Sequence, residues 1–235
     1  MTSPTQLPTT AQFERIDLDP TSWLDYAESW LSPDVADALL ADLLANQRWE
    51  ACNIVVAGRE IPQPRLMAWA GALPYRYSGL TIEPRQLDPT LAALNDAISA
   101  VCDVPFNHVM LNRYRDGRDR VAMHADAERE LGRDPVIVAL SLGAERRFRL
   151  ESKDKRRTRK QLQLAHGSLV VMGGACQHRW RHEIPRVNQL EAERVSLTFR
   201  VLRGPPGWRP ADWTDRRPRP PQSPESDPKS ATAAR

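Results

Sequence analysis

His124 and Asp126 stand two residues apart in "RVAMHADAERE", residues 120–130. Side chains at i and i+2 of an extended chain leave the same face. An imidazole and a carboxylate are thereby aimed at one point, which is what two ligands of one metal ion need. A buried histidine bonded to a nearby carboxylate uses the same pair, so the pair does not decide alone. A third ligand is on offer in "CQHRWRHEIPR", residues 176–186, where His178 and His182 follow the run "SLVVMGG". Either completes two histidines and one carboxylate, the facial set that leaves open positions on non-haem Fe(II). Spacing alone does not choose between them. Cys176 beside them has no second cysteine nearby, which argues against a structural zinc site.

A second chemical pattern lies in "RVSLTFR", residues 194–200. Arg194, Ser196, Thr198 and Arg200 alternate with Val195, Leu197, Phe199 and then Val201. On a strand the apolar set packs on a core, and the polar set faces a cavity or solvent. The arginines are six residues apart, about 20 Å between Cα atoms at roughly 3.3 Å per residue. Long side chains leaning together bracket a small dianion. A solvated strand face is the competing reading.

The elements that would position these residues are legible in outline. "SPDVADALLADLLANQ" has Ser32 at the N-cap, Pro33 at the first helical position and Asp34 in the first turn, which predicts a helix. Its apolar stripe is Val35, Leu39, Leu40, Leu43 and Leu44. "DPTLAALNDAISAVC" repeats the device with Asp88 and Pro89, and Leu91, Leu94, Ile98 and Val101 share a face. Both helices read as buttresses against a sheet. From Phe106 the pattern becomes short strands, "FNHVMLNRY", "PVIVALSL", "RRFRLE", "QLQLA", "SLVVMG" and "RVSLTFRVL". Many short strands at close spacing predict an antiparallel barrel or sandwich of the jelly-roll kind.

Bulk properties narrow the class. The 235 residues are 41% hydrophobic and 27% charged, with a formal net charge of +3, an ordinary globular balance that permits a nucleic-acid partner without requiring one. No apolar run is long enough to span a bilayer, and "MTSPTQLPTTAQFER" carries no secretory pattern,. Three cysteines with no paired spacing fit a reducing compartment, so a cytoplasmic location is expected. Residues 1–11 are expected to be flexible, and residues 204–235 to be a disordered Pro/Arg-rich tail.

Several stretches together resemble the AlkB family of Fe(II)- and 2-oxoglutarate-dependent nucleic-acid dealkylases. They are "QPRLMAWAGALPYRYSGL", "FNHVMLNRYRDG", "HADAERELG", "PVIVALSLGAERRFRL", "LAHGSLVVMGG", "WRHEIPR" and "RVSLTFR". They occur in family order from about residue 50 to residue 203, and the "QPR…LPYRYSG" segment resembles the animal-type repair paralogues. The resemblance implies a mainly β fold (α+β): a double-stranded β-helix, or jelly-roll, core over residues 106–203. Residues 12–105 would supply the helical buttress and a nucleotide-recognition lid. It implies His124, Asp126 and His182 as iron ligands, with His178 a bystander. It implies Asn112 and Tyr114 as partners of 2-oxoglutarate, Arg200 as the arginine that binds its carboxylate and Arg194 as the one that supports that binding. Ser196 and Thr198 would line the same face, although the family usually carries Asn where Ser196 stands. Tyr75, Tyr77, Glu128 and Arg65 match positions that contact the target base or its strand.

The expected reaction is oxidative demethylation of bases of the 1-methyladenine and 3-methylcytosine type in DNA, and in RNA as a second substrate. It consumes O2 and 2-oxoglutarate and leaves succinate and formaldehyde. A base cannot be reached inside a duplex. The small Ala57 in "NIVVAGREIPQPR" leads to an expectation of single-stranded or weakly paired substrates. The basic run "KDKRRTRK", residues 153–160, reads as a solvated hairpin tip or a phosphate-contacting loop. A monomer is expected. The alternatives are an oxygenase acting on a protein or small molecule, and a non-catalytic nucleic-acid-binding module.

Overall fold

The structure, a computed structural model, describes residues 7–56, 58–77, 80–188 and 192–204. In chain order the elements are β1 (Glu14–Asp19), β2 (Ser22–Ala27), α1 (Pro33–Asn46), β3 (Glu50–Val56), β4 (Arg59–Gly71), β5 (Tyr75–Tyr77) and β6 (Leu80–Ile82). There follow α2 (Pro89–Cys102), β7 (His108–Tyr114), β8 (Val121–His124), β9 (Ile137–Gly143), β10 (Arg146–Ser152) and β11 (Arg159–Leu164). The last are β12 (Leu169–Gly174), the single-turn α3 (Cys176–Arg179), β13 (Trp180–Ile184) and β14 (Arg194–Arg200). The major sheet runs β1-β2-β12-β9-β14-β7-β4-β3, and the minor sheet runs β11-β10-β13-β8. Paired strands are antiparallel throughout. Two sheets of this connectivity form the expected jelly roll.

The alternation read in β14 decides how the layers stack. Val195, Leu197 and Phe199 join Val109 and Leu111 of β7 and Val138, Leu140 and Leu142 of β9 in one apolar cluster. Leu43 of α1 and Leu91, Leu94 and Ile98 of α2 close that cluster from the other side. The helices therefore buttress the outer face of the major sheet, as their stripes predict. The opposite face carries Met110, Asn112, Tyr114, Arg194, Ser196, Thr198 and Arg200 toward the minor sheet, with a cavity between.

The helix starts differ from each other. Asp88 caps α2, its side chain accepting from the Leu91 N–H at 2.8 Å. Ser32 occupies the cap position of α1 with extended dihedrals but makes no side-chain cap bond.

The sheet also crosses the boundary drawn at residue 106, because β1 to β4 all belong to it. β1 and β2 are six residues each, and half of β1 is acidic, so neither carries a strong apolar signal. β2 is held by its register on β12. β4 holds Pro62 and Pro64, which argue against a central strand. They are tolerated because the register of β4 on β7 begins only at Leu66. The prolines lie where β4 meets β3 alone.

At the amino end, Leu7, Ala11 and Phe13 pack against the core cluster, so the described part of the segment expected to be flexible is anchored. The tail from residue 205 and Ala57 lie outside the described residues. No helix among the described residues is long and apolar enough to cross a membrane.

Candidate metal and co-substrate site

β8 and β13 pair so that His124 sits directly opposite His182. The two rings lie 4.4 Å apart between centroids, and Phe148 flanks His182 at 5.2 Å. β8 ends at His124, and the extended chain beyond it delivers Asp126 to the same point. His124 Nε2 is 3.5 Å from Asp126 Oδ1. One ligand atom from each of His124, Asp126 and His182 lies within 4.8 Å of the others. Distance thus settles what spacing left open. His178 instead faces Asp134, its Nε2 accepting from the Asp134 N–H at 3.3 Å on the surface.

Three features show that the donors fit a cation. His124 Nδ1 lies 2.9 Å from the Ala122 carbonyl, and the tautomer that donates there leaves the Nε2 lone pair free. His182 is driven to about 3 by burial, with His124 adding to the effect, so it is neutral. Asp126 is buried and ionised. Burial raises its carboxyl, but the Arg200 guanidinium beside it holds it well below the usual range. Its Oδ2 accepts from Arg200 Nη2 at 3.0 Å, while Oδ1 has no hydrogen-bond partner. Two free imidazole nitrogens and one unpaired carboxylate oxygen converge, which is the donor set of a facial Fe(II) site.

The cavity continues from this cluster along β14 and β7. Ser196, Thr198, Asn112 and Tyr114 line it, with Met110, Ala139, Phe148, Leu164, Val170 and Met172 as its apolar wall. Arg194 is fully buried and donates from Nη2 to Ser141 Oγ at 2.9 Å. Its Nε and Nη1 have no partner among the described residues. A buried guanidinium with donors to spare is a site for a carboxylate. Tyr114 lies between Arg194 and Arg146, its ring 5.0 and 5.4 Å from the two guanidinium carbons. The buried Arg146 donates from Nη2 to the Asp119 and Pro185 carbonyls. Both arginines of "RVSLTFR" line the cavity, but Arg200, expected to bind the co-substrate carboxylate, donates to Asp126, and Arg194 at the other end of the strand makes no ion pair among the described residues.

Two residues expected at the base are buried. Arg65 lines the cavity and donates from Nε to Asn112 Oδ1 at 2.6 Å. It braces a residue of the cavity. Tyr75 was expected to stack on a base, but its ring is fully buried, edge-on to His108 at 5.1 Å between centroids. Glu128 lies beside it. Burial and the nearby Asp126 charge push the Glu128 carboxyl up. The Tyr77 side chain lies outside the described residues. Sequence reasoning missed Ser141, Arg146 and Gln177. Gln177 accepts the Asp126 backbone N–H at 2.9 Å, and only its place next to the candidate histidine His178 hinted at it.

Comparison with known proteins agrees with this geometry. The rat alpha-ketoglutarate-dependent dioxygenase alkB homolog 3 (Rattus norvegicus) is 38% identical over 185 residues, covering 73% of this chain and 63% of that protein. The human protein of the same name (Homo sapiens) is 36% identical over 187 residues, 76% of this chain and 65% of its own. DNA oxidative demethylase ALKBH2 of Bos taurus is 39% identical over 159 residues, 64% of this chain and 57% of its own. The chain therefore spans less than two thirds of the length of these relatives. The solved structure of OsALKBH1 superposes with a TM-score of 0.53 at 16% identity, over 80% of this chain and 99% of that one, a likeness of fold. The profile of the 2OG-Fe(II) oxygenase superfamily matches residues 24–200. Because that match takes in the jelly roll, the His–Asp–His cluster and the arginine strand together, the chain belongs to the 2OG-Fe(II) oxygenase superfamily.

Proposed function

We propose that this protein is an oxidative demethylase of N-methylated bases in DNA, with RNA as a second substrate. The observation that carries the reading is the unpaired Asp126 Oδ1 facing His124 and His182 at the head of an arginine-ended cavity. The names of the relatives supply the substrate class: two are alkB homolog dioxygenases and one is a DNA oxidative demethylase.

In this reading His124, Asp126 and His182 hold Fe(II), and Arg194 takes the far carboxylate of 2-oxoglutarate. Asn112, braced by Arg65, and Tyr114 orient the co-substrate along the cavity. Bound Fe(II), with 2-oxoglutarate and O2, supplies the oxidant that hydroxylates the N-methyl carbon while 2-oxoglutarate becomes succinate and CO2. The hydroxymethyl group on the base nitrogen then leaves as formaldehyde. Arg200 keeps Asp126 ionised and fixed, so the carboxylate offers one oxygen only. The apolar wall from Met110 to Met172 keeps water off the reacting carbon. Glu128, two residues from Asp126 and beside Tyr75, sits where an exocyclic amino group of the base would be read. Tyr77 is left as the aromatic to stack on it.

A phosphate backbone needs positive charge. Glu151 on β10 draws Arg157, Arg159 and Arg181 to 3.9, 3.0 and 3.1 Å. Three guanidiniums around one carboxylate, two of them from the run at residues 153–160, leave this face of the minor sheet basic. Such a face adds salt-dependent affinity for nucleic acid. The small Ala57 between β3 and β4 supports a preference for single-stranded or weakly paired strands. Three free thiols suit a reducing compartment, so we infer a cytoplasmic location.

The test is an incubation of the full chain with Fe(II), 2-oxoglutarate and oligonucleotides carrying 1-methyladenine or 3-methylcytosine. Single- and double-stranded DNA and RNA are run in parallel. Repaired base, formaldehyde and succinate are expected in equal amounts, and none from His182→Ala. Failure to repair any of these strands while succinate still forms would move the substrate outside nucleic acid.

A further inference from the structure

We infer that Gln177 is a positioning residue for the metal ligand Asp126, an inference that rests on the Fe(II) reading above. Asp126 lies just beyond the end of β8, in chain with no strand partner. A buried backbone N–H must find an acceptor. The Asp126 N–H finds it 51 residues away in Gln177 Oε1, at 2.9 Å. Gln177 is fully buried. Its amide nitrogen points instead at the Met172 sulfur, 3.4 Å away, a weak acceptor,. Turning the amide over would set two donors against each other, so the orientation is determined.

Gln177 is itself pinned. Its backbone carbonyl accepts from Lys153 Nζ at 2.8 Å, and Ala175 at the start of the same turn donates to the Thr21 carbonyl at 2.8 Å. The chain that carries Gln177 continues within a few residues into β13 and His182. One hydrogen bond therefore ties the segment bearing His182 to the segment bearing Asp126. With Arg200 fixing Oδ2 and Gln177 fixing the backbone, Oδ1 is left to face the imidazoles. Residues that orient a ligand from behind typically change metal affinity about 10–100-fold when lost.

The test titrates Fe(II) anaerobically into the full chain with 2-oxoglutarate and follows the visible charge-transfer absorption of the chelate. Gln177→Met keeps the length and removes the oxygen acceptor; Gln177→Glu keeps an oxygen. We expect Gln177→Met to weaken apparent Fe(II) affinity by roughly 10–100-fold and Gln177→Glu to lose less. Unmodified affinity in Gln177→Met, or an equal loss in both variants, overturns the inference. If the unmodified chain develops no absorption, the Fe(II) reading itself falls, and this inference falls with it. Should Gln177→Met melt below the assay temperature, amide exchange in the unmodified chain decides. The Asp126 N–H is expected to exchange roughly tenfold more slowly with Zn(II) and 2-oxoglutarate bound than without them. Equal rates overturn the inference.

Discussion

Asp126 and Arg200 are each almost entirely buried and meet at 3.0 Å. Neither charge has water to turn to, so each depends on the other. Removing one partner of a buried pair costs about 3–5 kcal/mol, because the remaining charge is left uncompensated. Arg200→Met is therefore expected to lower the thermal midpoint of the metal-free protein. Added Zn(II) should restore more of the midpoint in the variant than it adds to the unmodified chain, since a bound cation takes over the compensation. Equal Zn(II)-induced shifts in the two proteins would show that Arg200 is not what holds the carboxylate. At this scale His124 with Asp126, and the polar face of β14, were legible because residues two apart share a face whatever surrounds them. Arg65 and Tyr75 were not. Their motif positions pointed to a base, but whether a side chain reaches solvent depends on what packs over it. His108 over Tyr75 and Asn112 against Arg65 come from distant parts of the chain.

The two helices show how identical local signals acquire different weights. Ser32-Pro33 and Asp88-Pro89 are equivalent helix starts in sequence. Asp88 accepts from the Leu91 N–H through one oxygen and from Gln47 Nε2 at 2.5 Å through the other. It thus caps α2 and ties it to the end of α1. Ser32 makes no such bond. Asp88→Ala is expected to cost about 1 kcal/mol or somewhat more, and Ser32→Ala to stay within about 0.5 kcal/mol. Urea unfolding of the two variants measures the contrast, and equal losses would refute it. Six strands of residues 106–203 were legible from their apolar runs, but β8 and β13, which carry His124 and His182, were not. Nor were β1 to β4: β1 is half acidic and β4 holds two prolines, and pairing with β2 and β7 supplies what the sequence does not signal.

The whole molecule carries a consequence of burying neutral imidazoles. His108 is fully buried, and burial, with Arg200 adding to it, drives its pKa from 6.5 to about 3. Above pH 6.5 it is neutral both folded and unfolded and adds no pH dependence. Between 6.5 and about 3 the unfolded chain binds a proton that the folded chain does not. Stability therefore falls with acid across that window, by about 1.4 kcal/mol per pH unit for one site. His182 adds to the same limb when no metal is bound, its pKa lying at about 3 as well. His108→Phe keeps a planar ring and removes the titrating group. Its stability should fall less steeply between pH 6 and 4 than that of the unmodified chain, as read from urea midpoints. Parallel slopes would mean that His108 does not remain neutral inside the fold.

Short-range chemistry was written in the sequence itself: the i, i+2 pair of His124 and Asp126, the alternation of "RVSLTFR", and the two amphipathic helices. These patterns survive any packing, because the geometry of an extended or helical backbone alone produces them. The meeting of His182 with His124 and Asp126, which residue spacing left open and only family resemblance anticipated, the pairing of Arg200 with Asp126, and the capture of the Asp126 N–H by Gln177 belong to the tertiary structure. Each depends on strands far apart in the chain being set in register, and on the loss of water around charges that then have only one another to satisfy.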